Sequence, residues 1–339
     1  MDIQNSKNLK AQIPDKNLEL VIKREINKNS NKLIYVEDLE GLTELDAYDS
    51  LISDITGLEY CIKLKELNLG YNEIINLSPI SQLSNLKVLH LNNNCISDIT
   101  PISKLINLEV LYLYHNKITN VEPLSYLINL KWLDISNNKI TNISSLAKLI
   151  NIKNLELYNN NINNIEALSK LVNLERLYIY NNNLTNIEPL SELLNLRELH
   201  LKNNKIIDLL PLTKLINLNT LDLEYNKITN LKPLSNLINL RYLNLKNNKI
   251  TDVTPLSKLT NLRELKLKNN KIIDVTPLSK LINLRDLEIL NNKITDITSL
   301  STLKLFKLVN LDININSIDS LTINKKLNKK SNSMPSGLA

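Results

Sequence analysis

Residues 108–118 read LEVLYLYHNKI. Leu108, Leu111 and Leu113 are spaced for a buried face, Asn116 closes the pattern LxxLxLxxN, and between them stand Tyr112, Tyr114 and His115. The same spelling occurs 22 residues earlier as LKVLHLNNNCI and 22 residues later as LKWLDISNNKI. From Asn72 to Asn292 the asparagine returns every 22 residues without a slip. Most of the prolines occupy a second slot of the same period: Pro79, Pro101, Pro123, Pro189, Pro211, Pro233, Pro255 and Pro277. A fixed period of this length marks a stack of small units, each of which buries its apolar side only against its neighbours.

Counted from its first leucine, each regular repeat carries the asparagine in slot 9, and most carry the proline in slot 16. Two-residue alternation sends the leucines of slots 4 and 6 inward and the residues of slots 3, 5 and 7 to the opposite face. The asparagine is expected to bond to nearby backbone and to take up a left-handed turn conformation. The proline, with φ preset and no N–H, suits an extended or 3-10 return. Stacked strands of this kind form a parallel sheet.

The ends of such a stack need covering. Residues 13–29, IPDKNLELVIKREINKN, offer Asp15 as an N-cap and an apolar stripe of Leu18, Val21, Ile22 and Ile26, which predicts an amphipathic helix over the first coil. An irregular repeat follows from Leu42, with Ala47 in a leucine slot and Ser50 in the asparagine slot. Cys61 takes a core leucine position and reads as a buried, inert thiol. At the far end the period gains two residues around LKLFK (303–307), which places the last unit at Leu308 through Asn316. The expected division is a helical cap over 1–41, about 13 repeats of 22 residues over 42–323, and a basic disordered tail over 324–339.

The motif LxxLxLxxN is that of leucine-rich repeats, and ITDVTPLSKLTNLRELKLKNN (250–270) resembles the 22-residue repeats of the bacterial internalins. The cap sequence, followed by LEGLTELDAYDSLISDITGLEY, is similar to the helical cap and first irregular repeat of the same bacterial group. The resemblance runs from about Ile13 to Ile323. It implies an α/β leucine-rich repeat solenoid with a curved parallel β-sheet on the concave face and 3-10 or extended segments on the convex face. It also implies a concave surface that binds protein, as in adhesion or host recognition. The leucine-rich regulatory subunit of eukaryotic protein phosphatase type 1 is more distantly similar and implies an alternative, an intracellular scaffold with a cytosolic partner.

Slots 3, 5 and 7 of consecutive repeats gather rings. Tyr112, Tyr114, Trp132, Tyr158, Tyr178 and Tyr180 fall there, with Arg176, His90 and His200 beside them and His115 at the edge. Trp132 is the single tryptophan of the chain, and elsewhere the same slots carry mostly Asn, Lys, Glu and Asp. Trp, Tyr and Arg anchor protein interfaces because each supplies large contact area with few torsions to freeze. These ten residues are the expected partner-binding set. Contact with the histidines is expected to make binding change across about pH 6 to 7.

Other functions find less support. Only four glycines occur among 339 residues, which excludes glycine-rich phosphate loops. Two cysteines without metal-ligand spacing exclude a disulfide framework and a structural zinc site, and no cofactor or small-molecule substrate is expected. Asp134 and Glu156 share slot 5 of adjacent repeats. On an open, hydrated sheet face such carboxylates keep ordinary pKa values, so they are read as a polar rim rather than a catalytic pair. His90 and His200 stand five strands apart, too far to share a metal. No catalysis is expected.

The net charge is +6 with a pI near 9.0, and it is unevenly spread: 33–73 is acidic, 74–195 balanced and 196–293 basic. Such polarity can steer an oppositely polarised partner. Much of the basic charge lies in two regular rows, one with Arg241, Arg263 and Arg285, the other with Lys227, Lys249 and Lys271, without an aromatic stacking platform. Nucleic acid is therefore disfavoured. No apolar run is long enough to span a bilayer and no leader precedes the cap, so a cytoplasmic monomer is expected, or a secreted or surface protein if a leader lies upstream of Met1.

Overall fold

The computed structural model describes residues 9–303, 305 and 307–309. The chain divides into two compact units, Met1–Leu177 and Tyr178–Ala339.

The first unit opens with helix α1 (Lys16–Glu25), whose Leu18 and Ile22 are fully buried. Asp15 caps it as the sequence predicts: its Oδ1 accepts from the backbone N–H of Asn17 at 2.9 Å and Leu18 at 3.1 Å. The other oxygen, Oδ2, accepts from the N–H of Ser53 at 2.9 Å and Asp54 at 3.2 Å. One carboxylate thus closes the helix and clips it to the first coil. A short helix α2 (Val36–Leu39) follows.

Strands β1 (Glu44–Asp46), β2 (Glu66–Asn68), β3 (Val88–His90), β4 (Val110–Tyr112), β5 (Trp132–Asp134) and β6 (Asn154–Glu156) pair in parallel, each residue opposite its equivalent 22 positions on. Every central leucine is buried, and Ala47 fills its leucine slot completely buried. The returns are 3-10 turns, as the prolines require: Pro101 sits near the start of Thr100–Lys104 and Pro123 near the start of Glu122–Tyr126. Strand β7 (Arg176–Tyr178) stands at the boundary of the units.

In the second unit β8 (Glu198–His200), β9 (Thr220–Asp222), β10 (Tyr242–Asn244), β11 (Glu264–Lys266) and β12 (Asp286–Glu288) repeat the same parallel ladder. β13 (Lys307–Val309) pairs with β12 so that Leu308 lies opposite Leu287. That corrects the predicted register at this end. Leu308 is a fourth-slot residue 21 positions after its equivalent, because the backbone ladder, and not the leucine spelling that follows, sets where the strand begins. The predicted tail 324–339 and the residues from 310 to 316 lie outside the described residues.

The asparagine ladder works through its amide. Asn138 donates Nδ2 to the carbonyls of Leu113, Ile135 and Ser136 and accepts the N–H of Ile118 on Oδ1, so one buried side chain ties together two coils. The left-handed conformation expected of it falls instead one residue earlier, in slot 8: Asn93, His115, Asn137 and Asn159 have φ of 53–55°. The ladder residue needs its side chain aimed inward at carbonyls, so the reversal of the chain is completed before it.

Candidate functional site

In the first unit, alternation on β3 to β6 places Val88, His90, Val110, Tyr112, Trp132, Asp134, Asn154 and Glu156 on the face opposite the leucines. The register sets His90 against Tyr112, Tyr112 against Asp134, and Asp134 against Glu156. The rings touch. His90 stacks on Tyr112 with centroids 4.6 Å apart and planes 20° apart, Tyr112 meets Trp132 at 6.2 Å, and Tyr114 meets Tyr112 edge-on at 6.4 Å. His115, exposed in its left-handed turn, lies 5.9 Å from Tyr114. Tyr158 is half-buried, and Arg176 is exposed and donates Nη1 to Asn154 Oδ1 at 3.3 Å.

In the second unit Tyr178 stacks on His200 at 4.5 Å and 12°, and its hydroxyl donates to Glu198 Oε2 at 2.6 Å. Tyr180 is half-buried. Further along, the outward charges neutralise one another. Lys202 is 3.0 Å from Glu224, Lys246 reaches both Glu224 and Glu288, and Lys266 pairs with Glu264 at 2.7 Å while lying over the Tyr242 ring.

The carboxylates of β5 and β6 overturn the open-face expectation. Asp134 is only 4% exposed, with Tyr112 across the ladder and Trp132 two residues before it, and it accepts from Ser136 N–H and Oγ on a single oxygen. Burial pushes its carboxyl up against the opposing pull of the Ser136 bonds. Burial, then the charge of Asp134, push Glu156 up to about 7. Water has been displaced by neighbouring side chains, so the two acids do not behave as a solvated rim.

Burial acts in the opposite sense on the histidines. It lowers His90 against the upward pull of Asp46 and Glu66, and lowers His200 against that of Asp222 and Glu198. Both imidazoles therefore charge at a lower pH than an ordinary histidine. Cys61 is buried with its thiol pushed up to about 12, the inert group its slot predicts.

Two rings escaped the sequence reading. Tyr48 and Tyr71 are exposed, with centroids 5.1 Å apart, and both act electrostatically on the Tyr114 phenol. Tyr48 lies in the irregular first repeat. Tyr71 occupies slot 8, which the outward-slot count omitted; its left-handed φ of 56° turns the side chain onto the rim. Extending the count to slot 8 would have found it.

The repeat region matches a family model for leucine-rich repeats over 84–126 and, in overlapping stretches, over 128–304. An internalin of Listeria monocytogenes, InlF, is 30% identical, with 90% of this chain and 99% of that one covered and a TM-score of 0.81. The chain belongs to the internalin-like leucine-rich repeat family. The functional domain of InlJ from the same organism, described as including a cysteine ladder, is another internalin likeness at 26% identity, with 89% of this chain and 69% of that one covered and a TM-score of 0.78. The PEPR1–AtPEP1 complex is 25% identical, with 78% and 44% covered and a TM-score of 0.64. No curated protein sequence matches. The internalin-like fold is typically a scaffold for protein interaction, without chemistry of its own. Among the described residues no helix is long and apolar enough to cross a membrane.

Proposed function

We propose that this internalin-like protein binds a protein partner on the concave, outward face of its strands, through Trp132, Tyr112, Tyr114, Tyr158, Arg176, His90 and His115 in the first unit and Tyr178, Tyr180 and His200 in the second. The supporting observation is the continuous ring contact His90–Tyr112–Trp132 on the face opposite the leucine core. Flat rings with few torsions give up little entropy when a partner covers them. The internalin neighbours and the likeness to PEPR1–AtPEP1 favour a protein or peptide ligand. The internalin likeness favours a receptor-type protein met in adhesion over a cytosolic protein held by a scaffold.

The test is capture of partners by the wild-type protein and by the Trp132→Ala/Tyr178→Ala double variant. Loss of an anchor ring costs about 2 kcal/mol or more at an interface, so a true partner is expected to be retained by wild type and lost by a folded double variant. A partner retained equally by both overturns the assignment.

A further inference from the structure

The outward face of the first unit is acidic as well as aromatic. Across slots 3, 5 and 7 of the repeats that contain β1 to β6 stand Glu44, Asp46, Glu66, Asp134 and Glu156, and no lysine or arginine. Of the bases at its border, Lys87 and Lys131 in slot 2 are taken up by Glu109 and Lys153 by Glu175, while His115 in slot 8 pulls on Asp134 more weakly than burial and the Ser136 bonds act on it. Glu156 is the exceptional member. It is half-buried, and among the described residues the charge that acts on it is that of Asp134, which repels. Arg176, the nearest cation along the ladder within this unit, is bonded to Asn154. Asp134 leaves one carboxylate oxygen without a hydrogen bond among the described residues, since Ser136 uses the other twice. The contrast with the second unit is chemical: there Glu224, Glu264 and Glu288 each have a lysine.

A carboxylate drawn out of water without a cation costs folding free energy that its own fold does not return. Beside it lie two π-faces, Tyr112 and Trp132, of the kind that attract cations. The Tyr112 phenol is held above its usual range by burial and then by Glu156 and Asp134, which places all three groups in one electronegative niche. A divalent ion is a poor occupant, because among the described residues no three His, Cys, Asp or Glu side chains come together. A guanidinium fits better, since its plane can lie on the rings while its N–H fork meets carboxylate oxygens.

We infer that the partner presents a basic polypeptide segment to this face, with an arginine seated between the rings of Tyr112 and Trp132 and the carboxylates of Asp134 and Glu156, and with further basic residues along Glu66, Asp46 and Glu44. The inference rests on the partner-binding reading above and deepens it by fixing the chemistry of the ligand.

Trp132 is the chain's only tryptophan, so its fluorescence reports on the niche directly. The full chain is titrated with three synthetic peptides of equal length, alternating serine with arginine, with glutamate or with tyrosine. The arginine peptide is expected to change the emission saturably and the glutamate peptide to leave it unchanged. Glu156→Gln, and Asp134→Asn with the Ser136 acceptor retained, are each expected to weaken the arginine peptide by about tenfold, whereas Glu109→Gln at the strand border leaves it unaltered; circular dichroism verifies that each variant is folded. Equal response to the arginine and tyrosine peptides, or affinity unchanged in Glu156→Gln, overturns the basic chemistry while leaving the broader reading to the capture experiment. Silence toward all three peptides overturns it as well.

Discussion

Glu156 stands directly across the parallel ladder from Asp134, with burial first and that neighbouring charge second pushing its carboxyl up to about 7. A carboxyl whose folded pKa exceeds its unfolded value favours the folded state while protonated. The stabilisation present below about 4.5 is therefore lost as pH rises to about 7. Glu156→Gln cannot ionise, so it is expected to gain on wild type across that window, by on the order of 1 kcal/mol once partial solvent access is discounted. Urea unfolding of both proteins at either end of the window checks this. A stability gap that does not change with pH would mean that the charge is already neutralised.

Asp15 predicts the reverse dependence. Burial resists its ionisation, but four backbone N–H donors, led by Ser53, outweigh burial and hold the carboxyl below its usual 3.8. Its contribution is present above that value and is lost as pH falls through the lowered one. Asp15→Ala removes both the helix cap and the clip to the first coil and is expected to cost on the order of 2 kcal/mol at neutral pH, with Asp15→Asn milder. Thermal melts at neutral and strongly acid pH distinguish the variants: the deficit shrinks in acid if ionic capping is responsible and persists if packing is.

How far the spelling of the chain reaches is clear from particular residues. Leu111 and Leu133 were legible as core and Tyr112 and Trp132 as face, because strand alternation is geometric and repeats at every coil. Pro101 announced a 3-10 turn through its fixed φ. The burial of Asp134 was not legible, since it depends on how large the side chains at 112 and 132 are and which way they lean, neither of which is periodic. Slot 8 was misjudged for a related reason: both it and slot 9 are usually asparagine, and the letter does not say which amide points inward and which backbone turns left-handed. The sequence does not distinguish Glu224, met by lysine, from Glu156, which no lysine meets among the described residues.

The slot 8 turn yields its own prediction. Tyr225 holds φ at 54°, where most repeats of this chain place asparagine. A non-glycine ring residue in the left-handed region carries strain of roughly 1 kcal/mol, and asparagine relieves part of it through local hydrogen bonding. Tyr225→Asn is accordingly expected to stabilise the protein by several tenths of a kcal/mol, about the size of such backbone effects. A rise in the midpoint of urea unfolding without a change of slope is the expected signature; a fall would show that the ring's contacts outweigh the backbone strain.

The ladder asparagines carry the largest expected effects, and position along the stack sets their size. Asn138 is buried, and its removal leaves the N–H of Ile118 and the carbonyls of Leu113 and Ile135 without the partner that joins their coils. Each buried group left unsatisfied costs about 1–3 kcal/mol, so Asn138→Ala is expected to lose on the order of 3 kcal/mol. Asn292 makes the same bonds to Ile272, Leu267 and Ile289, yet it is half-exposed near the end of the described repeats, where water can replace the amide. Asn292→Ala is expected to cost clearly less. Because a repeat stack can open locally, the decisive reading is amide hydrogen exchange at Ile118 in Asn138→Ala and at Ile272 in Asn292→Ala. Exchange is expected to accelerate far more at Ile118. Equal acceleration at the two sites would show that burial does not grade the ladder and that each asparagine acts only on its own turn.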